Sequence, residues 1–288
     1  MIERAFVTLS EGQMHLRRRH GGDGGDGGGG IGSRAAGGNP LLLFHASPAS
    51  SWVMQSLMTA LVGAGLDRTM IAPDTLGNGD SVAPTPEAPD IAYFADAKLR
   101  MIDALGIDKV DLYGAHTGAR IACEFAAAYP ARVGKVILDG ITEYDDATRQ
   151  LVIEKYAPKV EPDEYGLHLL WAFNFVRDQH FFFPYFKRDP AHRLSVPLSD
   201  PATLHRITLD VLKALDTYSK PYVAAFAYRA FTRMPAIEAP VLLLKPDTEL
   251  PVLNAAIDTA IGLIRDARVA TITGGDTAKA AAIAEFLA

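Results

Sequence analysis

The chain has 288 residues, of which 49% are hydrophobic and 22% charged, and its formal net charge is −6. This composition suits one large globular domain, or a domain with an insertion, and it excludes a basic surface for nucleic acid. A single cysteine excludes an internal disulfide, and because no long apolar run predicts a signal peptide or a membrane span, we expect a cytoplasmic protein.

The first half of the chain alternates short apolar runs with helical segments. Two strands joined by a Glu-Gly turn predict an N-terminal hairpin, and the glycine-dense segment 21–38 predicts a flexible surface loop. Such alternation predicts an α/β fold with a mostly parallel, doubly wound sheet, whose ligand sites lie at the carboxyl ends of the strands. The predicted buried strands of this half are 41–44, 70–72, 110–113 and 135–138.

The alternation stops between residues 141 and 237, where the sequence becomes helical and aromatic. We interpret this segment as an inserted helical cap. The strand pattern resumes at 241–244 and 269–272, and a last helix follows. The predicted core therefore consists of residues 1–140 and 238–288.

A sharp turn follows the strand 110–113. Its sequence, Gly-Ala-His-Thr-Gly from Gly114 to Gly118, precedes a helix of small residues. It has the form of the nucleophile elbow, G-x-S-x-G, in which glycines on both sides allow the backbone to lift the central side chain above the sheet. Here the central residue is His116, so the motif predicts an active-site turn with altered chemistry.

Together with this turn, the segments LLLFHASP and APDTLGNGDS, the cap and the closing Gly-Gly-Asp before the last helix resemble the α/β-hydrolase fold family across nearly the whole chain. The resemblance implies an oxyanion hole made by the backbone N–H groups of Ser47 and Thr117. Each such donor contributes roughly 3–4 kcal/mol to transition-state stabilisation where it has been measured.

The sequence departs from the family's catalytic triad. No serine occupies the elbow, and the last histidine, His205, lies in the predicted cap. By family position, His116 replaces the nucleophile, Asp276 replaces the base, and Glu249 stands where the orienting acid would be. Because an imidazole is longer than a serine side chain and a carboxylate shorter than an imidazole, we predict a His116–Asp276 dyad acting as general base, in which the carboxylate raises the pKa of His116.

Simpler interpretations remain open for each of these residues. His116 would fill the pocket of a decayed site, Asp276 would cap the last helix, and Glu249 would be a solvated loop charge. Asp139 is a reserve candidate for the acid. The predicted pocket residues are His45, Trp52, Asp139 and Trp171. For His45 a role in supporting its loop is favoured over catalysis, and the aromatic residues of the cap are more often core than substrate wall.

The favoured function is hydrolysis of a small, largely apolar ester, lactone or related carbonyl compound, with His116 activating water. A non-hydrolytic lyase, isomerase, cyclase or cofactor-free oxygenase on the same pocket is the first alternative, and a catalytically inactive binding protein is the second. No nucleotide or metal motif implies a cofactor or a metal site. The expected partner is a small-molecule substrate, with no nucleic acid and no membrane, and the oligomeric state is open.

Overall fold

The computed structural model describes residues 1–22 and 38–288, and within these residues a single sheet of eight strands organises the chain. The order across the sheet is β1-β2-β4-β3-β5-β6-β7-β8. The strands are β1 (Glu3–Leu9), β2 (Gly12–Arg19), β3 (Leu41–Phe44), β4 (Met70–Pro73), β5 (Val110–Ala115), β6 (Val133–Asp139), β7 (Val241–Pro246) and β8 (Ala267–Ile272). The predicted glycine-rich loop, 21–38, lies mostly outside the described residues.

The sheet is antiparallel at one edge and parallel elsewhere. β1 and β2 form the predicted hairpin, β2 pairs antiparallel with β4, and every pair from β4 to β8 is parallel. The central strands β3, β4 and β5 are buried along their whole length. Continuous apolar runs of this kind are typical of strands covered on both faces, because an exposed face would favour alternating polar residues.

Helices cover both faces of the sheet. One apolar cluster contains residues of α2, α3 and α9, and a second contains residues of α1 and α10. The predicted α/β class is thereby confirmed. These helices are α1 (Met54–Gly63), α2 (Ile91–Ala104), α3 (Thr117–Ala128), α9 (Pro251–Leu263) and α10 (Gly275–Leu287).

The chain between β6 and β7 forms a group of helices that we call the cap. The cap has its own buried cluster, in which aromatic rings such as Tyr156, Phe175 and Tyr222 pack edge to face or tilted against one another. Its helices are α4 (Asp146–Lys155), α5 (Leu167–Phe181), α6 (Pro201–Lys213), α7 (Ser219–Ala227) and α8 (Ala230–Arg233).

None of the helices within residues 1–22 and 38–288 combines the length and apolar character that crossing a bilayer requires.

Candidate active site

The turn between β5 and α3 holds His116 in a strained backbone conformation with positive φ, with φ 49° and ψ −105°. It is the sole non-glycine residue with positive φ in the described ranges. Such a conformation costs about 1–3 kcal/mol and persists only where the surroundings impose it. Here the surroundings are tight: a Cβ on Gly114 would lie 2.2 Å from the carbonyl oxygen of Gly118, and one on Gly118 would lie 2.1 Å from that of Phe44.

Glu249 is the charged partner of His116. Its Oε2 lies 3.2 Å from Nε2 of the imidazole, with the His116 side chain 42% exposed and the Glu249 side chain 10% exposed. The other carboxylate oxygen accepts a 2.7 Å hydrogen bond from the N–H of Leu250. If the carboxylate accepts the Nε2 proton, the unprotonated nitrogen of the neutral ring is Nδ1, which makes no hydrogen bond to any described residue.

Glu249 determines the direction in which the pKa of His116 is shifted. Burial favours the neutral imidazole, but the charge and hydrogen bonding of Glu249 outweigh burial and raise the pKa of His116 above its ordinary value. The pKa of Glu249 is lowered: burial opposes this shift, and the nearby imidazole more than compensates. The two side chains therefore stabilise each other's charged forms.

The structure places Glu249, and not Asp276, against His116, so the predicted pairing with Asp276 is corrected. Asp276 belongs to the first turn of α10, where a carboxylate interacts favourably with the positive end of the helix dipole. It lines a cavity of about 310 Å³ that His116 and Glu249 also line. Its side chain makes no ion pair with His116, the described partner of which is Glu249.

Asp139, the reserve acid, is held by other partners. One of its carboxylate oxygens accepts hydrogen bonds from the Tyr113 hydroxyl at 2.6 Å and from Nζ of Lys279 at 2.5 Å. Its backbone carbonyl accepts the N–H of His116 at 2.8 Å. Asp139 thus lines the same 310 Å³ cavity but has its charge compensated by Lys279, whereas Glu249 is the acid in contact with the imidazole.

A second cavity, of about 330 Å³, lies between the elbow and the cap. Ser47, His116 and Thr117 line it from the core side, and Tyr222 closes it from the cap, with its hydroxyl 2.9 Å from the carbonyl oxygen of Ser47. Within the described residues, neither the N–H of Ser47 nor that of Thr117 donates to the protein, as expected for the first residue of α3. The two residues thus have unpaired amides and line a cavity that His116 also lines.

Comparisons with known proteins identify the fold. The family model described as alpha/beta hydrolase fold matches residues 39–157. The crystal structure of a hydrolase from Pseudomonas aeruginosa PA01 superposes with a TM-score of 0.68, covering 99% of this chain and 98% of that chain at 16% identity. The chain has the α/β-hydrolase fold.

Two curated members with hydrolase names share a shorter stretch. A 2-hydroxy-6-oxo-2,4-heptadienoate hydrolase from Pseudomonas putida is 30% identical over 103 residues, which is 36% of this chain and 37% of that enzyme. A 2-hydroxymuconate semialdehyde hydrolase from Pseudomonas sp. strain CF600 is 31% identical over 103 residues, 36% of each chain. The match therefore spans little more than a third of either relative.

Three residues predicted for the substrate pocket lie elsewhere. His45 is buried, its Nδ1 is 2.9 Å from the carbonyl oxygen of Ala46, and its Nε2 accepts the N–H of Thr75 at 2.9 Å, so it supports its loop. Trp52 lies under the guanidinium of Arg206. Trp171 stacks on Phe175 within the cap, with ring centroids 4.9 Å apart. None of the three lines either cavity described above.

The sequence did not identify two charged residues that this site contains. Arg120, one helical turn after His116, lines the 330 Å³ cavity, and Lys279, one turn after Asp276, lines the 310 Å³ cavity. The sequence carried no clear signal for Arg120, because α3 also contains the charged residue Glu124 four positions later, which is the spacing of an ordinary surface ion pair on a helix.

The structure also brings together His15, Asp74 and Asp80. Asp74 accepts from Nδ1 of His15 at 2.9 Å and from the N–H groups of Ser51 and Asp80. Asp80 forms ion pairs with Arg4 and Lys213. Because protein donors satisfy these carboxylates, we interpret the cluster as the anchor of the loop after β4.

Proposed function

We propose that this protein is a cofactor-independent enzyme of the α/β-hydrolase family that hydrolyses a small ester, lactone or related carbonyl compound, with His116 and Glu249 as a general-base dyad. The observation that carries the proposal is the 3.2 Å contact between the imidazole and the carboxylate on a turn whose strained backbone aims His116 into a cavity with two free amides. Strain kept at one residue beside unpaired donors is typical of catalytic sites.

The residues suggest the following reaction. His116 takes a proton from a water molecule, and the hydroxide attacks the substrate carbonyl carbon. The N–H groups of Ser47 and Thr117 bind the resulting oxyanion, and the carbonyl re-forms as the bond to the leaving group breaks. The imidazolium, stabilised by Glu249, then returns the proton to the leaving oxygen. General-base catalysis of this kind contributes about 10²–10⁴-fold, and each oxyanion donor about 10²–10³-fold.

Two further observations favour hydrolysis over the other interpretations. The curated relatives are named as hydrolases of 2-hydroxy-6-oxo-2,4-heptadienoate and of 2-hydroxymuconate semialdehyde, both small carbonyl compounds. The imidazole retains a carboxylate partner, whereas a site that only fills space has no need of one. Apolar residues, among them Phe183, Phe226 and Leu253, form part of the cavity wall, which suits a small and partly apolar substrate.

A panel of esters, lactones, thioesters and β-diketones tests the proposal, with wild type and His116→Ala assayed side by side. We expect turnover of at least one class, incorporation of one oxygen from labelled water, and a loss of about 10²-fold or more in His116→Ala. A serine-directed organophosphonate is expected to leave the protein unlabelled and active. Labelling of a serine with loss of activity, or product without the labelled oxygen, contradicts the mechanism.

A further inference from the structure

Arg120 is a buried cation at the wall of the proposed substrate cavity. Only 4% of its surface is exposed to solvent, and it lies on α3 one turn after His116. Nη1 donates to the carbonyl oxygen of His116 at 3.1 Å and Nη2 to that of Thr142 at 3.1 Å. Nε is buried and has no hydrogen-bond partner among the described residues.

Arg120 has no carboxylate in ion-pair contact within residues 1–22 and 38–288, and the contrast with Arg68 shows how unusual this is. Arg68 is 5% exposed, and its guanidinium lies 2.6 Å from Oδ2 of Asp111. The burial of an unpaired charge carries a desolvation penalty of several kcal/mol, so buried arginines are normally paired. Arg120 lacks the partner that Arg68 has.

The charges around the cavity leave Arg120 without a carboxylate partner among the described residues. Glu249, the carboxylate that acts on Arg120 through space, is in contact with His116 and the Leu250 N–H instead. The Tyr144 hydroxyl beside Arg120 is neutral, since burial raises its pKa. A guanidinium in a site shielded from water is the side chain best suited to bind a carboxylate, because its N–H groups match the two oxygens.

We propose that Arg120 binds a carboxylate of the substrate, so that the enzyme acts on anionic carbonyl compounds in preference to neutral ones. The inference rests on the proposed function for the reaction, but not for the binding of the anion. It predicts that the substrate reaches across the cavity, with its carbonyl at the Ser47 and Thr117 amides and its carboxylate at the guanidinium. Arg120 is then a specificity-determining residue that contacts substrate.

The competing explanation is that Arg120 only holds the carbonyl groups of His116 and Thr142 and so shapes the elbow. A matched pair of substrates separates the two roles. The p-nitrophenyl monoester of glutaric acid carries a carboxylate where p-nitrophenyl valerate carries a methyl group. A structural role affects both esters equally, whereas a binding role affects the charged ester alone.

The kinetic experiment compares wild type with Arg120→Met, Arg120→Lys and the control Arg265→Met. Arg265 is exposed and precedes β8, at the sheet edge opposite the site, and its substitution removes the same charge. We expect Arg120→Met to lower kcat/KM for the glutarate ester about 10- to 100-fold more than for the valerate ester, mainly through KM. Arg120→Lys should restore part of this preference, and Arg265→Met should not change it. Equal losses for both esters overturn the inference.

A binding experiment keeps the inference separate from the proposed function. Calorimetric titration with benzoate and with benzamide needs no turnover. We expect wild type to bind benzoate at least about tenfold more tightly than benzamide, and Arg120→Met to remove the difference. If this result appears while no ester is hydrolysed, the proposed function fails and the anion site stands. If esters are hydrolysed while benzoate shows no advantage in wild type, the anion site fails and the hydrolase stands.

Discussion

Replacing Glu249 with Gln removes the charge beside His116 while keeping the side-chain size. At the observed separation of 3.2 Å, Coulomb's law gives about 1 kcal/mol in bulk water and about 5 kcal/mol at an effective dielectric constant of 20. Because 42% of the His116 side chain is exposed, solvent screens the pair, and we adopt about 1–2 kcal/mol for the coupling. This energy is present only while the imidazole is protonated and the carboxylate ionised.

The sign of the effect follows from the two pKa shifts. His116 has a raised pKa in the folded protein, so its contribution to stability is complete below the ordinary histidine pKa and disappears as the pH rises through the raised value. Without the charge of Glu249 the pKa of His116 is lower than in wild type, because the main group that raises it is lost. Glu249→Gln should therefore destabilise the fold by about 1–2 kcal/mol near pH 5.5 and by clearly less near pH 9. The same change should move the acid limb of the rate profile to lower pH and reduce the plateau about 10²-fold, because the ring loses its orienting carboxylate.

Urea unfolding at the two pH values and a pH profile of kcat/KM measure both effects. Glu285→Gln is the matched control, since it removes one carboxylate from an exposed position on α10 and should change neither the profile nor the pH dependence of stability. An unchanged acid limb in Glu249→Gln, together with the same loss of stability at both pH values, would refute the reasoning.

Two further substitutions test the geometry of the site. Asp276→Asn should leave the acid limb of the rate profile at its wild-type pH, because Asp276 makes no ion pair with His116. A shift of this limb to lower pH would instead support a His116–Asp276 dyad. Gly140→Ala should lower kcat at least about tenfold and destabilise the fold by more than 1 kcal/mol, since φ is +71° and the new Cβ would lie 2.9 Å from Oε2 of Glu249. Gly65→Ala is the control, since φ there is +86° and no atom lies within 4 Å of the new Cβ. It should lower the stability through backbone strain and leave kcat unchanged. Equal losses of activity in both variants would count against a clash with the dyad.

The architecture could be predicted because the strand and helix patterns along the chain agree with the parallel sheet that they form. The buried runs of β3, β4 and β5 are continuous and apolar, and each is followed by a turn and a helix of typical length. The elbow was recognisable because its backbone needs Gly114 and Gly118 at fixed positions whatever the central side chain is. A backbone requirement that only glycine meets can be recognised directly in the sequence.

The partner of His116 was harder to predict, because it depends on side-chain reach between loops distant in sequence. The carboxyl ends of β6, β7 and β8 bring Asp139, Glu249 and Asp276 to one edge of the sheet, and all three line the same cavity. Only the three-dimensional arrangement shows that Lys279 pairs with Asp139 and that Glu249 reaches the imidazole. Composition and spacing do not show which of the three carboxylates contacts His116.

The burial of Arg120 was hidden for a similar reason. A single arginine in a helix is usually on its solvated face, and the sequence alone does not show that α3 is covered on nearly every side by the sheet, α2 and α7. Trp171 shows the converse case. An aromatic residue in the cap is equally compatible with a substrate wall and with a packed core, and its stacking on Phe175 decides for the core.

The claim that His116 is the general base is tested most directly by chemical rescue. His116→Gly removes the imidazole and suits the backbone at this position, because glycine adopts positive φ without strain and φ here is 49°. We predict that the variant loses at least about 10²-fold in rate, and that added imidazole restores part of the activity, with more basic imidazoles giving faster rates at saturation. A folded His116→Gly variant that keeps wild-type activity, or that binds substrate and gains nothing from any imidazole, would contradict the account.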